Sequence, residues 1–174
     1  MIKVVLFGPE STGKTTLAEQ LAGYYNTVWV PEYMRTYLER KWEEKKELIT
    51  QDDLIPIAKG QLAHEAELEK KAEKLLICDT NLLELKVYSE YYYDGYCPEM
   101  IRKEATKNNY DIYLLTYIDT PWELDRLRDR PNNREELFAL FEAELIKNQF
   151  PYVVLKGNKE ERLQRAVSVI DNLL

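Results

Sequence analysis

Three features of the sequence predict an α/β fold with a mostly parallel, five-stranded sheet between two layers of helices. Short apolar runs alternate with longer helix-prone segments along the chain, the pattern of a parallel sheet covered on both faces by right-handed crossovers. The first run, Ile2 to Phe7, passes into Gly8-Pro9-Glu10-Ser11-Thr12-Gly13-Lys14-Thr15 and then into the helically spaced Thr16 to Ala22. A strand, a glycine-bounded turn and a helix start are the context in which G-x-x-x-x-G-K-[ST] is a phosphate-binding loop. The third feature is length: 174 residues suit a single domain with a substantial core. The expectation is one three-layer α/β/α domain over residues 1–174.

Each part of the loop has a physical job. Gly8 and Gly13 allow backbone angles and a close approach that side-chained residues forbid. The amides of Glu10, Ser11, Thr12 and Gly13, with the positive end of the helix that Thr16 continues, converge on phosphate oxygens. Lys14 is placed to reach the β- and γ-phosphates, and the Thr15 hydroxyl to ligate Mg²⁺. The loop therefore predicts a nucleoside triphosphate and Mg²⁺ as cofactors.

In chain order, Thr27 to Val30 reads as a short second strand stopped by Pro31. Arg35 to Glu47 is densely charged and predicts a solvated helix. Thr50-Gln51-Asp52-Asp53 has the composition of a helix N-terminus, opening a long helix to about Lys74 with Ile57, Leu62, Ala66 and Leu68 on its apolar side. Leu75 to Cys78 is a buried strand ending in Asp79, followed by a tyrosine-rich helix from Asn81 to Tyr93. After a break at Gly95 and Pro98 come a short helix to Lys107 and a strand from Ile112 to Tyr117. A helix from Glu135 to Asn148, a strand from Tyr152 to Leu155 and a helix from Glu160 complete the chain.

Ligands of such sheets bind beyond the carboxyl ends of the strands, which singles out Glu32, Asp79, Asp119 and Gly157-Asn158 by position alone. Four apolar residues and then Asp79 form a Walker-B-like element, whose carboxylate can hold Mg²⁺ or accept a substrate proton, and can also cap the next helix. Glu32 stands where an acid would meet an acceptor hydroxyl, so both carboxylates are candidates for the base. Arg126 to Arg134 carries four arginines in nine residues, broken by Pro131. Positive charge brought over a transferring phosphoryl group, then withdrawn, is the work of a lid; the segment 122–135 is expected to be one, with Arg128, Arg134 and Arg130 as its active cations. Tyr88, Tyr91, Tyr92, Tyr93 and Tyr96 suit packing, with one or two free to face a flat aromatic ligand.

Composition narrows the partner. A net charge of −7 argues against nucleic acid, which calls for a basic footprint. No apolar run approaches the roughly 18 residues of a membrane span. Cys78 and Cys97, with a single histidine, His64, suit neither a zinc site nor a disulfide framework. The strand beginning at residue 2 leaves no room for a targeting peptide. A reduced, cytoplasmic protein acting on a small molecule is the expectation, and no feature of the sequence sets an oligomeric state. A nucleotide-dependent ATPase or switch with a protein partner is the alternative, its docking surface on the acidic helices from Arg35 to Lys74.

GPESTGKTTLAEQLA, VPEYMRTYLE, IAKGQ, CDTNLLELKVYSEYY and YDIYLLTYIDTPWELDRLRDRPNNRE, in that order, resemble the kinase domain of the bifunctional nicotinamide riboside kinase/NMN adenylyltransferase family. The resemblance runs from about residue 3 to 157; the loop is generic, whereas PEY-x-R, DT-x-L and LRD-x-P-x-NR are more specific. It implies a nucleoside-kinase-like fold and ATP-dependent phosphorylation of the ribose 5′-hydroxyl of nicotinamide riboside, a step of NAD salvage. By the same resemblance Gly13, Lys14, Thr15 and Thr16 hold the phosphates and Mg²⁺, while Asp79 and Glu32 meet the metal and the riboside hydroxyls. Arg128 and Arg134 belong to the lid, and Tyr33, Arg35, Gln61, Asn81 and Trp122 to the substrate side; Arg130 and Asn158 are expected at the nucleotide. Met34 and Tyr88 stand where relatives are expected to carry alanine and often tryptophan. Tyr88 would keep an aromatic wall for a nicotinamide ring, and Met34 would reshape the pocket. Nothing precedes the first strand, so the adenylyltransferase and DNA-binding parts of longer family members are expected to be absent.

Overall fold

Four of the five strands are apolar on both faces, and the fold follows from burying them. The protein is represented by a computed structural model, which describes residues 1–120 and 133–174. Its elements are β1 (Ile2–Phe7), α1 (Lys14–Tyr25), β2 (Trp29–Val30), α2 (Tyr33–Lys45), a 3₁₀ turn (Gln51–Asp53), α3 (Leu54–Glu69), β3 (Leu75–Asp79), α4 (Leu82–Tyr92), α5 (Glu99–Ala105), β4 (Ile112–Thr116), α6 (Arg134–Lys147), β5 (Tyr152–Leu155) and α7 (Lys159–Asp171). The strands form one sheet in the order β2-β3-β1-β4-β5, and every pairing is parallel.

The period-2 alternation of β1 divides the core. Val4 and Leu6 face a cluster built with Leu17, Ala18 and Leu21 of α1 and Ala166 and Ile170 of α7. Val5 and Phe7 face the larger cluster, to which α2 to α6 contribute Leu38, Ile57, Leu83, Ile101 and Phe141. Continuous apolar sequence in a strand is what burial on both faces requires. The connection leaving β1 runs toward β2, and the one leaving its neighbour β3 runs the other way, to β4. That reversal opens a crevice at the carboxyl ends of β1 and β3, where ligands of doubly wound sheets bind.

The observed elements depart from the expected ones at their ends. The second strand is two residues rather than four: it pairs with β3 alone, and the Thr27 hydroxyl donates to the Leu75 carbonyl just outside the ladder. Helix α2 starts at Tyr33 with Glu32 as its N-cap, earlier than Arg35. Helix α3 stops at Glu69, short of Lys74, and its buried face is Leu54, Ile57, Ala58, Gln61 and Glu65, while Ala66 is exposed. Two polar residues occupy that face because each has a partner: Gln61 accepts the Tyr33 amide at 2.8 Å, and Glu65 accepts the Tyr110 hydroxyl at 2.9 and 3.0 Å. The expected start signal ahead of α3 is a capping box between Thr50 and Asp53. Of the expected lid, Trp122, Arg126, Arg128 and Arg130 lie outside the described residues; Arg134 is the first residue of α6.

Candidate active site

The phosphate-binding loop leaves β1 at Gly8, whose φ is +144° and where a Cβ would stand 2.6 Å from the Thr116 hydroxyl. No other residue fits there. The loop returns to helix at Gly13, in the left-handed region at φ +83°, with Ser11 also left-handed at +56°. Thr12, fully buried, braces the loop from inside: its hydroxyl donates to the Pro9 carbonyl at 2.7 Å and lies 2.6 Å from the Thr116 hydroxyl.

Lys14 opens α1 and is itself buried. Its Nζ donates to the Gly8 and Pro9 carbonyls at 2.8 Å each and lies 3.6 Å from Glu84 Oε1. The Thr15 hydroxyl donates to Asp79 Oδ2 at 2.6 Å. Asp79 is only 1% exposed; burial raises its carboxyl above the ordinary value, against the pull of Lys14 and Thr15. Glu84, fully enclosed on the first turn of α4, is pushed up by burial to about 7, with Lys14 opposing. Thr80, between strand and cap, holds φ +70°, a strain of the sort found at functional sites.

On one side of Lys14 lies a cleft of about 540 Å³ between the loop, the start of α1, and the ends of β4 and β5. Ser11, Thr12, Gly13 and Thr16 form one wall; Asp119, Thr120, Gly157, Asn158 and Arg162 form the other. Arg162 clasps the two walls together. It donates to the Thr12 carbonyl at 2.6 Å, the Tyr117 carbonyl at 2.9 Å and the Gly157 carbonyl at 2.9 Å, and it pairs with Asp119. Asp119 also accepts the Gly157 amide at 2.7 Å, and its carboxyl is lowered: burial works against the charge, but Gly157 and Arg162 outweigh it. Its role is to tie strand ends. Asn158 caps α7 in a capping box with Glu161 and lines the cleft. Arg134 donates to the Thr120 carbonyl at 2.8 Å and to the Ser11 carbonyl at 3.3 Å, which sets its guanidinium against the loop.

On the other side, beyond the ends of β2 and β3, is a small cavity of about 20 Å³ lined by Glu32, Met34, Ile57, Gln61, Thr80, Asn81 and Glu84, among others. Tyr33 packs flat on Gly60, where a Cβ would come within 2.0 Å of its ring; that contact accounts for the glycine in IAKGQ. Arg35, half-buried on α2, is near enough to favour the charged form of Asp79. Asn81 is engaged at both ends, accepting the Leu83 amide as the cap of α4 and donating to the Tyr113 hydroxyl. Tyr88, expected as an aromatic wall, lies buried in the core, stacked on Tyr92 and edge-on to Phe141. Glu10 stands beside the Tyr92 hydroxyl at 3.5 Å. The calls on Trp122, Arg128 and Arg130 lie outside the described residues.

Sequence reasoning passed over Glu84 and Arg162. The first had a signal, an acid inside the apolar run Leu82 to Leu85. The second had none.

A nucleoside triphosphate fits the residues present. The loop offers a backbone cradle that a Cβ at Gly8 would destroy, beside a cleft large enough for a nucleoside. Mg²⁺ fits as well: Thr15 and Asp79 are in contact, and Asp79 Oδ1 has no hydrogen-bond partner. Two oxygen ligands from protein with phosphate and water completing the shell is how Mg²⁺ is usually held. Among the described residues there is no group of three or more His, Cys, Asp or Glu suited to a metal.

A five-stranded parallel sheet with this loop at the end of its central strand defines a P-loop α/β protein, a fold it shares with nucleoside and nucleotide kinases. A family model described as an AAA domain matches residues 3–162. The chain belongs to that family. It is also 26% identical to the trifunctional NAD biosynthesis/regulator protein NadR of Escherichia coli K12, over 98% of this chain and 42% of that protein; it spans less than half the length of such relatives. Crystal structures of NadR, one with NR and one with NAD and AMP-PNP, superpose with TM-scores of 0.78 and 0.79 at 22% and 20% identity. Each covers 98% of this chain, and 51% and 49% of the NadR chains. Deoxyadenosine kinase from M. mycoides, with bound dCTP, shares the fold at a TM-score of 0.62 and 15% identity, over 98% of this chain and all of its own.

Proposed function

We propose that the chain is an ATP- and Mg²⁺-dependent kinase for a small-molecule hydroxyl, and that its substrate is nicotinamide riboside, phosphorylated at the 5′-hydroxyl to nicotinamide mononucleotide. The observation that carries this reading is the position of Lys14. Its ammonium sits between a nucleotide-sized cleft and a cavity lined by carboxylates, as transfer of a phosphoryl group from one side to the other requires. The NR-bound and AMP-PNP-bound NadR structures, with the resemblance along the chain, support the choice of substrate and of ATP.

The roles follow from the geometry. The loop amides and the α1 N-terminus cradle the phosphates. Lys14 turns from the Gly8 and Pro9 carbonyls onto the β- and γ-phosphate oxygens, where its charge meets the charge that develops in transfer. Thr15 and Asp79 would hold Mg²⁺, which when bound supplies positive charge across the same oxygens. Glu32 lines the acceptor cavity and Asp79 ends the neighbouring strand β3, and one of these two carboxylates takes the hydroxyl proton. Arg134, hydrogen-bonded to the Ser11 carbonyl, fixes the loop.

The test is ADP release from Mg·ATP with and without nicotinamide riboside, together with the product mass. Riboside-dependent ADP release and a product heavier by one phosphate are expected. ADP formed at the same slow rate either way would overturn the kinase reading in favour of an ATPase with a protein partner. Met34 in the acceptor cavity and the fold shared with deoxyadenosine kinase favour, as second reading, another nucleoside; faster turnover of a purine or pyrimidine nucleoside would establish it.

A further inference from the structure

Ser11 is the residue of the phosphate-binding loop whose conformation its own chemistry does not favour. Its φ is +56°, in the left-handed region that side-chained residues enter at a cost. Gly13 is left-handed as well, at +83°, and Thr12 between them does not share that sign. Backbone that alternates in this way turns successive N–H groups into one concavity, a nest that binds an anion. The left-handed turn at Ser11 is thus part of the grip on phosphate. A residue held against its preference is held by its surroundings.

The hold is on the carbonyl. Ser11 O accepts the Thr120 hydroxyl at 2.9 Å and Arg134 Nη2 at 3.3 Å. Arg134 grips Thr120 more closely than it grips the loop: Nη1 donates to the Thr120 carbonyl at 2.8 Å, and Nη2 to the Thr120 hydroxyl oxygen at 3.3 Å. A hydroxyl that accepts from a cation is a stronger donor to the next group in line, so guanidinium, hydroxyl and carbonyl act as one chain. Thr120 lies past the end of β4, half-buried, and lines the cleft. In a planar trans peptide the N–H points opposite to the C=O. With the Ser11 carbonyl fixed on Thr120, the Thr12 N–H is fixed on the other side of the same plane. The next plane is pinned in the same manner, by Arg162 on the Thr12 carbonyl.

We infer that Thr120 is a positioning residue for the phosphates of the nucleotide, acting through the Ser11 carbonyl to hold the loop in its anion-binding form, and that Arg134 serves by bracing Thr120. This role rests on the nucleotide half of the proposed function, and the identity of the acceptor does not enter it. Arg134 then works on the loop backbone, and not as a cation laid over the transferring group.

The test is a rescue. Glycine enters the left-handed region freely, so a loop carrying Ser11→Gly has less need of a clamp on that carbonyl. Affinity for Mg·AMP-PNP is measured by calorimetry on the full chain with Thr120→Val or Arg134→Met, each with Ser11 retained and with Ser11→Gly. With Ser11 retained, Thr120→Val is expected to weaken binding about tenfold, the size of one lost hydrogen bond, and Arg134→Met by a smaller factor. In the Ser11→Gly background each loss should shrink by at least about threefold, the coupling of groups in contact. Arg134→Met carries the same test should Thr120→Val fail to fold. Unchanged binding by Thr120→Val, or a loss equal in both backgrounds, overturns the role of Thr120. A loss in Arg134→Met that glycine does not diminish puts that guanidinium on the phosphates and overturns its bracing role. Loss and rescue as expected, with nicotinamide riboside never phosphorylated by the wild type, uphold the role of Thr120 and overturn the kinase reading. No binding of Mg·AMP-PNP by the wild type overturns both.

Discussion

The two sides of Lys14 differ in how far their polar groups are satisfied, with Arg134 Nε the exception on the nucleotide side. On the nucleotide side, Arg162, Asp119, Asn158, Thr120 and Arg134 bind one another and the loop carbonyls. On the acceptor side, Gln61 Nε2 and one oxygen of Asp79 are buried with no hydrogen-bond partner, and Glu84 Oε1 has the Lys14 ammonium 3.6 Å away. Satisfied networks rigidify, and unsatisfied ones cost stability until a ligand completes them. On the proposed reading, the cleft side is then a preformed cradle for the nucleotide. On the same reading, the acceptor side would carry the chemistry that distinguishes one acceptor from another.

The sharpest way to break this contrast is at the boundary. Lys14→Ala should lower phosphoryl transfer by at least about 10²-fold with the far-ultraviolet circular dichroism unchanged; near-normal turnover would remove the lysine from its central role. Next in size is Arg162→Met, which leaves Asp119 without its cation and three carbonyls without a donor. Breaking a buried pair of this sort costs about 3–5 kcal/mol, here toward the low end because Asp119 is one-third exposed. Thermal unfolding should show the loss, and nucleotide affinity should fall more than riboside affinity. A smaller effect is expected from Gly60→Ala, whose methyl would meet the Tyr33 ring. About 1–3 kcal/mol of overpacking strain should displace α2 and raise the riboside KM with little change in that for ATP. A reversed pattern in either variant would collapse the distinction between the sides.

The smallest effect concerns the frame behind the acceptor side. Asp53 accepts from Lys41, Tyr37 and the Thr50 amide; burial opposes its charge, but these partners hold its carboxyl below the ordinary 3.8. A carboxyl lowered in the folded state adds stability that is fully present above its unfolded value and is lost as pH falls through the folded one. Asp53→Asn should cost about 1 kcal/mol at neutral pH. The gap in Tm between it and the wild type should close as the pH is taken below 4. A gap that persists in acid would assign the effect to packing instead of charge.

Local signals made the loop and most of the sheet legible in the sequence. The loop is a contiguous pattern, and β1, β3 and β4 are apolar on both faces because both faces are covered. The helix start at Thr50 was legible for the same reason, since the residues that signal it are contiguous. What could not be read depends on distant partners. Gln61 and Glu65 look like misplaced polar residues on α3 until Tyr33 and Tyr110 are brought against them. Tyr88 looks like a ring for stacking until Phe141 is placed on it. Arg162 reads as one more charge on an exposed helix, because the carbonyl it meets lies 150 residues away.

That last separation has a consequence for synthesis. The phosphate-binding loop is complete by Thr15, yet the side chain that clasps it is made about 150 residues later in synthesis. Until α7 emerges, Thr12 has no guanidinium at its carbonyl and the α1 side of the sheet lacks Ala166 and Ile170. A chain that stops short of α7 would present the signature of a phosphate-binding loop without its clasp.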